Sequence, residues 1–67
     1  MKVRSKSVLY GALQKQQKSN FTKVPVGSEG VLCVRDTTWD GAIEYCLVKF
    51  GRLWVRCSPA VLEEIGL

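Results

Sequence analysis

The chain has no histidine, so it lacks the one side chain whose unperturbed proton equilibrium lies near neutral pH. General acid–base chemistry at pH 7 loses its usual agent, and zinc loses a common nitrogen ligand. Cysteine is scarce and unpatterned: Cys33, Cys46 and Cys57 stand at spacings of 13 and 11, with no C-x-x-C. That argues against a metal site and predicts small apolar packing groups, so no metal or other cofactor is expected. Glu63 and Glu64 are adjacent and would point to opposite sides of a strand, which rules out a working carboxylate pair. Asp36 and Asp40 are explained by the turn between them. Arg35 lies near Cys33 in sequence, but packing accounts for that thiol more simply than nucleophilic chemistry. The chain is read as a non-enzyme with no small-molecule substrate.

Long apolar runs are missing too. Val8-Leu9-Tyr10, after a basic start, is far too short for the apolar part of a signal peptide, and nothing reaches membrane-spanning length. A cytoplasmic protein without membrane contact is expected. Acidic residues are absent from residues 1–28, which carry Lys2, Arg4, Lys6, Lys15, Lys18 and Lys23, a net of +6. Residues 29–67 carry four basic and six acidic residues, a net of −2. The basic N-terminal third, residues 1–23, suggests an anionic partner such as nucleic acid; a solvated, solubilising loop explains it equally well.

What is present is a small folded domain. Sixty-seven residues that are 46% apolar make one domain over residues 1–67, and a domain this small buries only about 60% of its unfolded surface. Its clearest stretch is Tyr45-Cys-Leu-Val-Lys-Phe-Gly-Arg-Leu-Trp-Val-Arg-Cys-Ser58. Cys46, Val48 and Phe50 alternate before Gly51, and Leu53, Val55 and Cys57 alternate after it, which predicts two strands. Gly51-Arg52 is the Gly-X pair of a two-residue type II′ turn. That turn sets Phe50 opposite Leu53, Val48 opposite Val55 and Cys46 opposite Cys57. On the other side it sets Lys49 opposite Trp54 and Leu47 opposite Arg56. In this register Cys46 and Cys57 are close enough to oxidise, and a reducing cytosol would keep them as thiols.

The remaining elements are read around that hairpin. A first strand is expected over 2–9, ended or bent at Gly11. Ala12–Lys18 forms one helical turn or a loop, and Phe21–Val24 is an extended piece before Pro25. Pro25-Val-Gly-Ser-Glu-Gly30 is a turn. It leads into a strand at Val31–Arg35, with Leu32 and Val34 facing the core. Asp36–Gly41 is an exposed loop closed by Asp40-Gly41. Ser58-Pro59-Ala-Val-Leu62 reads as a single 3-10 turn with Pro59 at its first position. A short closing strand follows, with Leu62 and Ile65 supplying its apolar contacts.

Five short strands, a long first loop and a 3-10 turn before the last strand predict an all-β, strongly bent small barrel. The order Gly27-x-x-Gly30-x-Leu32-x-Val34, Tyr45-x-x-Val48-x-Phe50, Val55-x-Cys57 and Leu62-x-x-Ile65 resembles the SH3-like barrels. It is similar to KOW-type modules, photosystem I subunit IV and short phage and bacterial barrel proteins. The likeness covers the barrel framework, residues 24–67; the first third matches only in length and position. The resemblance implies a non-catalytic binding role, to RNA or ribosomes in some members and to proteins in others. The acidic, tyrosine-rich first loop of peptide-binding SH3 domains is replaced here by Gln14-Lys-Gln-Gln-Lys18, which argues against proline-rich ligands.

Two binding hypotheses follow from the hairpin's outward face. Tyr45, Leu47, Lys49, Trp54 and Arg56, with Arg52 at the turn and Trp39 in the neighbouring loop, combine rings with cations. Such a face suits a protein interface anchored by aromatic and arginine side chains, as in an adaptor or stoichiometric inhibitor of phage type. It also suits nucleic acid, with Lys2, Arg4, Lys6, Lys15, Lys18 and Lys23 adding phosphate contacts. Asp36, Asp40 and Glu44 beside the face tip the reading slightly toward a protein partner. A local Lys49–Trp54 cation–π pair, worth about 0.5–1 kcal/mol when exposed, explains those two residues without any partner. An uncovered edge strand offers a route to a homodimer.

Overall fold

The computed structural model describes residues 1–14 and 19–65. The chain is all-β. Its strands are β1 (Lys2–Ser5), β2 (Leu9–Gly11), β3 (Thr22–Val24), β4 (Glu29–Thr37), β5 (Glu44–Phe50), β6 (Leu53–Cys57) and β7 (Leu62–Glu64). A 3-10 turn at Pro59–Val61 precedes β7. Among the described residues, no helix is long and apolar enough to cross a membrane. The strands form a five-stranded antiparallel sheet in the order β6-β5-β4-β1-β7 and a separate β2-β3 ribbon.

The β5–β6 hairpin has the register that its alternation dictates. Cys46 faces Cys57, Leu47 faces Arg56, Val48 faces Val55, Lys49 faces Trp54 and Phe50 faces Leu53. Gly51 sits at φ +62°, the left-handed conformation that a first central position of a II′ turn requires and that side chains disfavour. Val48 and Val55 are fully enclosed, and Val3, Leu9, Val24, Cys46 and Phe50 complete the buried cluster. Each such aliphatic side chain contributes about 1.5–3 kcal/mol on burial.

The expected first strand is two strands with a corner between them. Ser5 makes that corner: its N–H donates to Ser28 O at 2.9 Å, and Gly27 N–H donates to Ser5 O at 2.9 Å. Its buried hydroxyl donates to Pro25 O, also at 2.9 Å. These bonds come from 20 or more residues along the chain, so no local pattern announces them. Ala12, read as part of a helical turn or loop, instead pairs with Trp54 in extended backbone. Ala12 N–H donates to Trp54 O at 2.9 Å and Trp54 N–H to Ala12 O at 2.7 Å. That single rung joins the β2-β3 ribbon to the free side of β6. The expected turn or loop at Lys15–Lys18 lies outside the described residues.

β4 also departs from the expected alternation. Leu32 opposes Val48 and Val34 opposes Leu47, which leaves Cys33 as an extra residue in a β-bulge. The insertion reverses the side on which subsequent residues lie. Leu32 packs against the core as expected, but Val34 turns outward and is 42% exposed. After β6, Ser58 caps the 3-10 turn by accepting from Ala60 N–H, with Pro59 in the first turn.

Candidate functional site

Residues directly opposite across a sheet share a face, so the register lays out the outer surface in rungs. The first rung runs Lys2, Val31, Lys49, Trp54 across β1, β4, β5 and β6. The second runs Val34, Leu47, Arg56, and the third sets Asp36 beside Tyr45. One cation–π contact lies within the first rung and another joins the second rung to the third. The Lys49 ammonium lies 4.9 Å from the Trp54 ring centre, and the Arg56 guanidinium lies 4.8 Å from that of Tyr45. A depression of about 450 Å³ opens on this face between Lys2 and Lys49, over Val31 and beside Cys33 and Gly51.

Tyr45, Leu47, Lys49, Trp54 and Arg56 are thus brought onto one surface, with Arg52 exposed at the turn. The sequence reading missed Val31 and Val34, both solvent-exposed. Only the bulge puts Val34 there, and Val-Leu-Cys-Val carries no sign of it. Trp39 is on none of these rungs. It stands in the loop that closes the far end of β4 and β5, 98% exposed. Arg35 lies on the opposite side from Leu47, across from Cys46. There its guanidinium bonds the Glu44 carboxylate, and that contact holds its pKa further up.

The basic residues of the N-terminal third are dispersed. Lys2 and Arg4 flank one acid, Glu29, at 3.9 and 4.0 Å. Lys6 follows the Ser5 corner, and Lys23 pairs with Tyr10 on the ribbon. Lys15 and Lys18 fall outside the described residues. Comparison with protein-family models, curated proteins and solved structures returns no match.

The thiols differ sharply in environment. Cys33 is exposed, Cys57 is partly covered and Cys46 is buried. Burial raises the pKa of Cys46, and burial followed by the nearby Cys46 pushes Cys57 from 9.0 to about 11. A thiol so shifted holds about 100-fold less thiolate near neutral pH than an open one. Iodoacetamide at pH 8 is therefore expected to label Cys33 rapidly and the other two only after urea unfolding. Mass spectrometry of the labelled peptides reads this directly.

The same shift gives stability a pH dependence. Between pH 9 and about 11 the unfolded Cys57 has released its proton while the folded one keeps it. The unfolded state then binds fewer protons, so stability falls as pH rises through that window. Urea midpoints at pH 8 and pH 10.5 should show the fall, with a smaller fall in Cys57→Ala.

Proposed function

We propose that this chain is a non-catalytic SH3-like barrel module that docks another protein through the outer face of β4, β5 and β6. The barrel reading is supported by the Ser5 corner, the Ala12–Trp54 rung joining ribbon to sheet, and the 3-10 turn before β7. The observation that carries the partner class is the outward stripe Val31, Val34 and Leu47, bordered by Lys49, Arg52 and Arg56. Apolar surface rimmed by polar groups marks a contact surface, and charged residues belong at the rim of a protein interface rather than its centre.

Both aromatic rings on the face already carry a cation against them. A base stacking there would have to displace Lys49 or Arg56, which weakens the nucleic-acid reading relative to the protein one. The sharing of Glu29 by Lys2 and Arg4 weakens it further.

A photo-crosslinking residue placed at Val34, in the cells that make the protein, is expected to give adducts that protease removes and nuclease does not. In a binding assay with the partner so identified, Leu47→Asp should weaken affinity by about 30-fold, a loss of about 2 kcal/mol. Mixed-sequence oligonucleotides at about 50 and 200 mM salt supply the counter-test, since phosphate binding weakens steeply over that range. Nuclease-sensitive adducts, or tight salt-dependent oligonucleotide binding, would replace this reading with the nucleic-acid one.

A further inference from the structure

The second surface of interest is the end of the arm formed by the distal halves of β4 and β5. Its loop is held by its own hydrogen bonds. Gly41 N–H donates to Thr38 O and Thr38 N–H to Ile43 O, both at 2.8 Å. The Thr38 hydroxyl donates to Asp40 Oδ1 at 2.5 Å, and the same oxygen accepts from Ala42 N–H at 3.1 Å. Ile43 N–H donates to Thr38 Oγ1 at 3.3 Å. Nevertheless this well-braced loop gives its two largest apolar side chains to water: Trp39 is 98% exposed and Ile43 63%.

An aromatic side chain can bury about 150–250 Å². Presented on a pre-formed loop, it can dock with little ordering cost. The charge around it is distinctive. Residues 35–44 contain Arg35, Asp36, Asp40 and Glu44, a net of −2 in a chain of net +4. Arg35 is engaged by Glu44, which leaves the carboxylates of Asp40, next to Trp39, and Asp36, opposite Tyr45, as the other charges at this end of the arm. Asp36 accepts from the Thr37 N–H next to it, at 2.7 Å. The loop also lies at the opposite end of β5 from Gly51, about 20 Å away for a seven-residue strand.

We infer that the Trp39–Ile43 loop is a second, separate anchor that docks against large apolar side chains flanked by basic ones on a protein. Trp is the side chain most enriched among residues that dominate interface energies. The acidic border selects against the other two hosts of an exposed tryptophan: an anionic bilayer and a nucleic acid would both be repelled by Asp36 and Asp40. This inference goes beyond the outer-face reading, since its anchors, Trp39 and Ile43, lie in the loop outside β4 and β5; Asp36, opposite Tyr45, borders both surfaces.

The probe is a library of random dodecapeptides displayed on phage, selected on the immobilised full chain, with the Trp39→Ala chain as counter-target. Recovered peptides should combine large apolar residues with Arg or Lys. Their affinity for Trp39→Ala should be at least about 30-fold lower than for the unaltered chain. Asp36→Asn, which keeps an oxygen for Thr37 N–H and removes the charge, should weaken them several-fold and flatten their salt dependence. The inference is overturned if no peptide prefers the unaltered chain over Trp39→Ala, or if the preferred peptides lack basic residues. Peptides that lose binding on Leu47→Asp but not on Trp39→Ala belong to the outer face and also count against it. Co-flotation of the chain with phosphatidylcholine or phosphatidylglycerol vesicles, abolished by Trp39→Ala, would show a lipid anchor and overturn it as well.

Discussion

Replacing Phe50 with alanine is expected to leave the protein unfolded at room temperature. Phe50 is buried, closes the first arm of the β5–β6 hairpin opposite Leu53, and belongs to the buried cluster that also holds Val3, Val48 and Val55. Truncating a buried phenylalanine to alanine costs about 3–5 kcal/mol, through lost transfer energy and the cavity left behind. A domain of this size has a total stability near the low end of about 5–15 kcal/mol. Circular dichroism with urea titration should show the folded baseline shortened or gone. Phe50→Leu, which keeps most of the volume, should retain a cooperative transition; a fully stable Phe50→Ala would mean that the core lies elsewhere.

Gly30→Ala should be nearly as damaging, for the opposite reason. A methyl group on Gly30 would stand 2.7 Å from Phe50 Cδ1 and 2.8 Å from the backbone oxygen of Lys49. The ring could shift, but a strand carbonyl already set in a ladder cannot. Overpacking of this kind costs about 1–3 kcal/mol and occasionally more. In a domain of 60–100 residues each kcal/mol lowers the melting temperature by about 4–8 °C. A drop of about 10 °C or more is expected by calorimetry. Because Gly30 and Phe50 touch, the two substitutions should not add: Phe50→Leu should recover part of the loss caused by Gly30→Ala. An unchanged melting temperature for Gly30→Ala would show that β4 and β5 do not approach as described.

How much of this was readable beforehand depends on how local each cause is. The β5–β6 register could be read to the residue, because a Gly-X turn and two alternating runs lie within fourteen consecutive positions. The 3-10 turn was equally legible, since Ser58 and Pro59 act on their immediate neighbours. The corner at Ser5 was not, because its partners are Pro25, Gly27 and Ser28. Nor was the pairing of Ala12 with Trp54, separated by more than forty residues. The candidate face shows the same division. Its β5 and β6 residues followed from alternation, whereas Val31 and Val34 required knowing how β4 sits against β5. Trp39 was grouped with the other rings through nearness in sequence, whereas it stands in the loop beyond the paired strands and turns to water.

The extra residue at Cys33 has a consequence for how this small protein can change. Upstream of it, β4 answers to the interior: Gly30 and Leu32 must suit Phe50 and Val48. Downstream, the alternation restarts out of phase, and none of Val34, Arg35, Asp36 or Thr37 is buried. The strand is in effect two short words with a space between them. The second can be rewritten, by substitution or by a change in the length of the arm, without forcing any revision of the first.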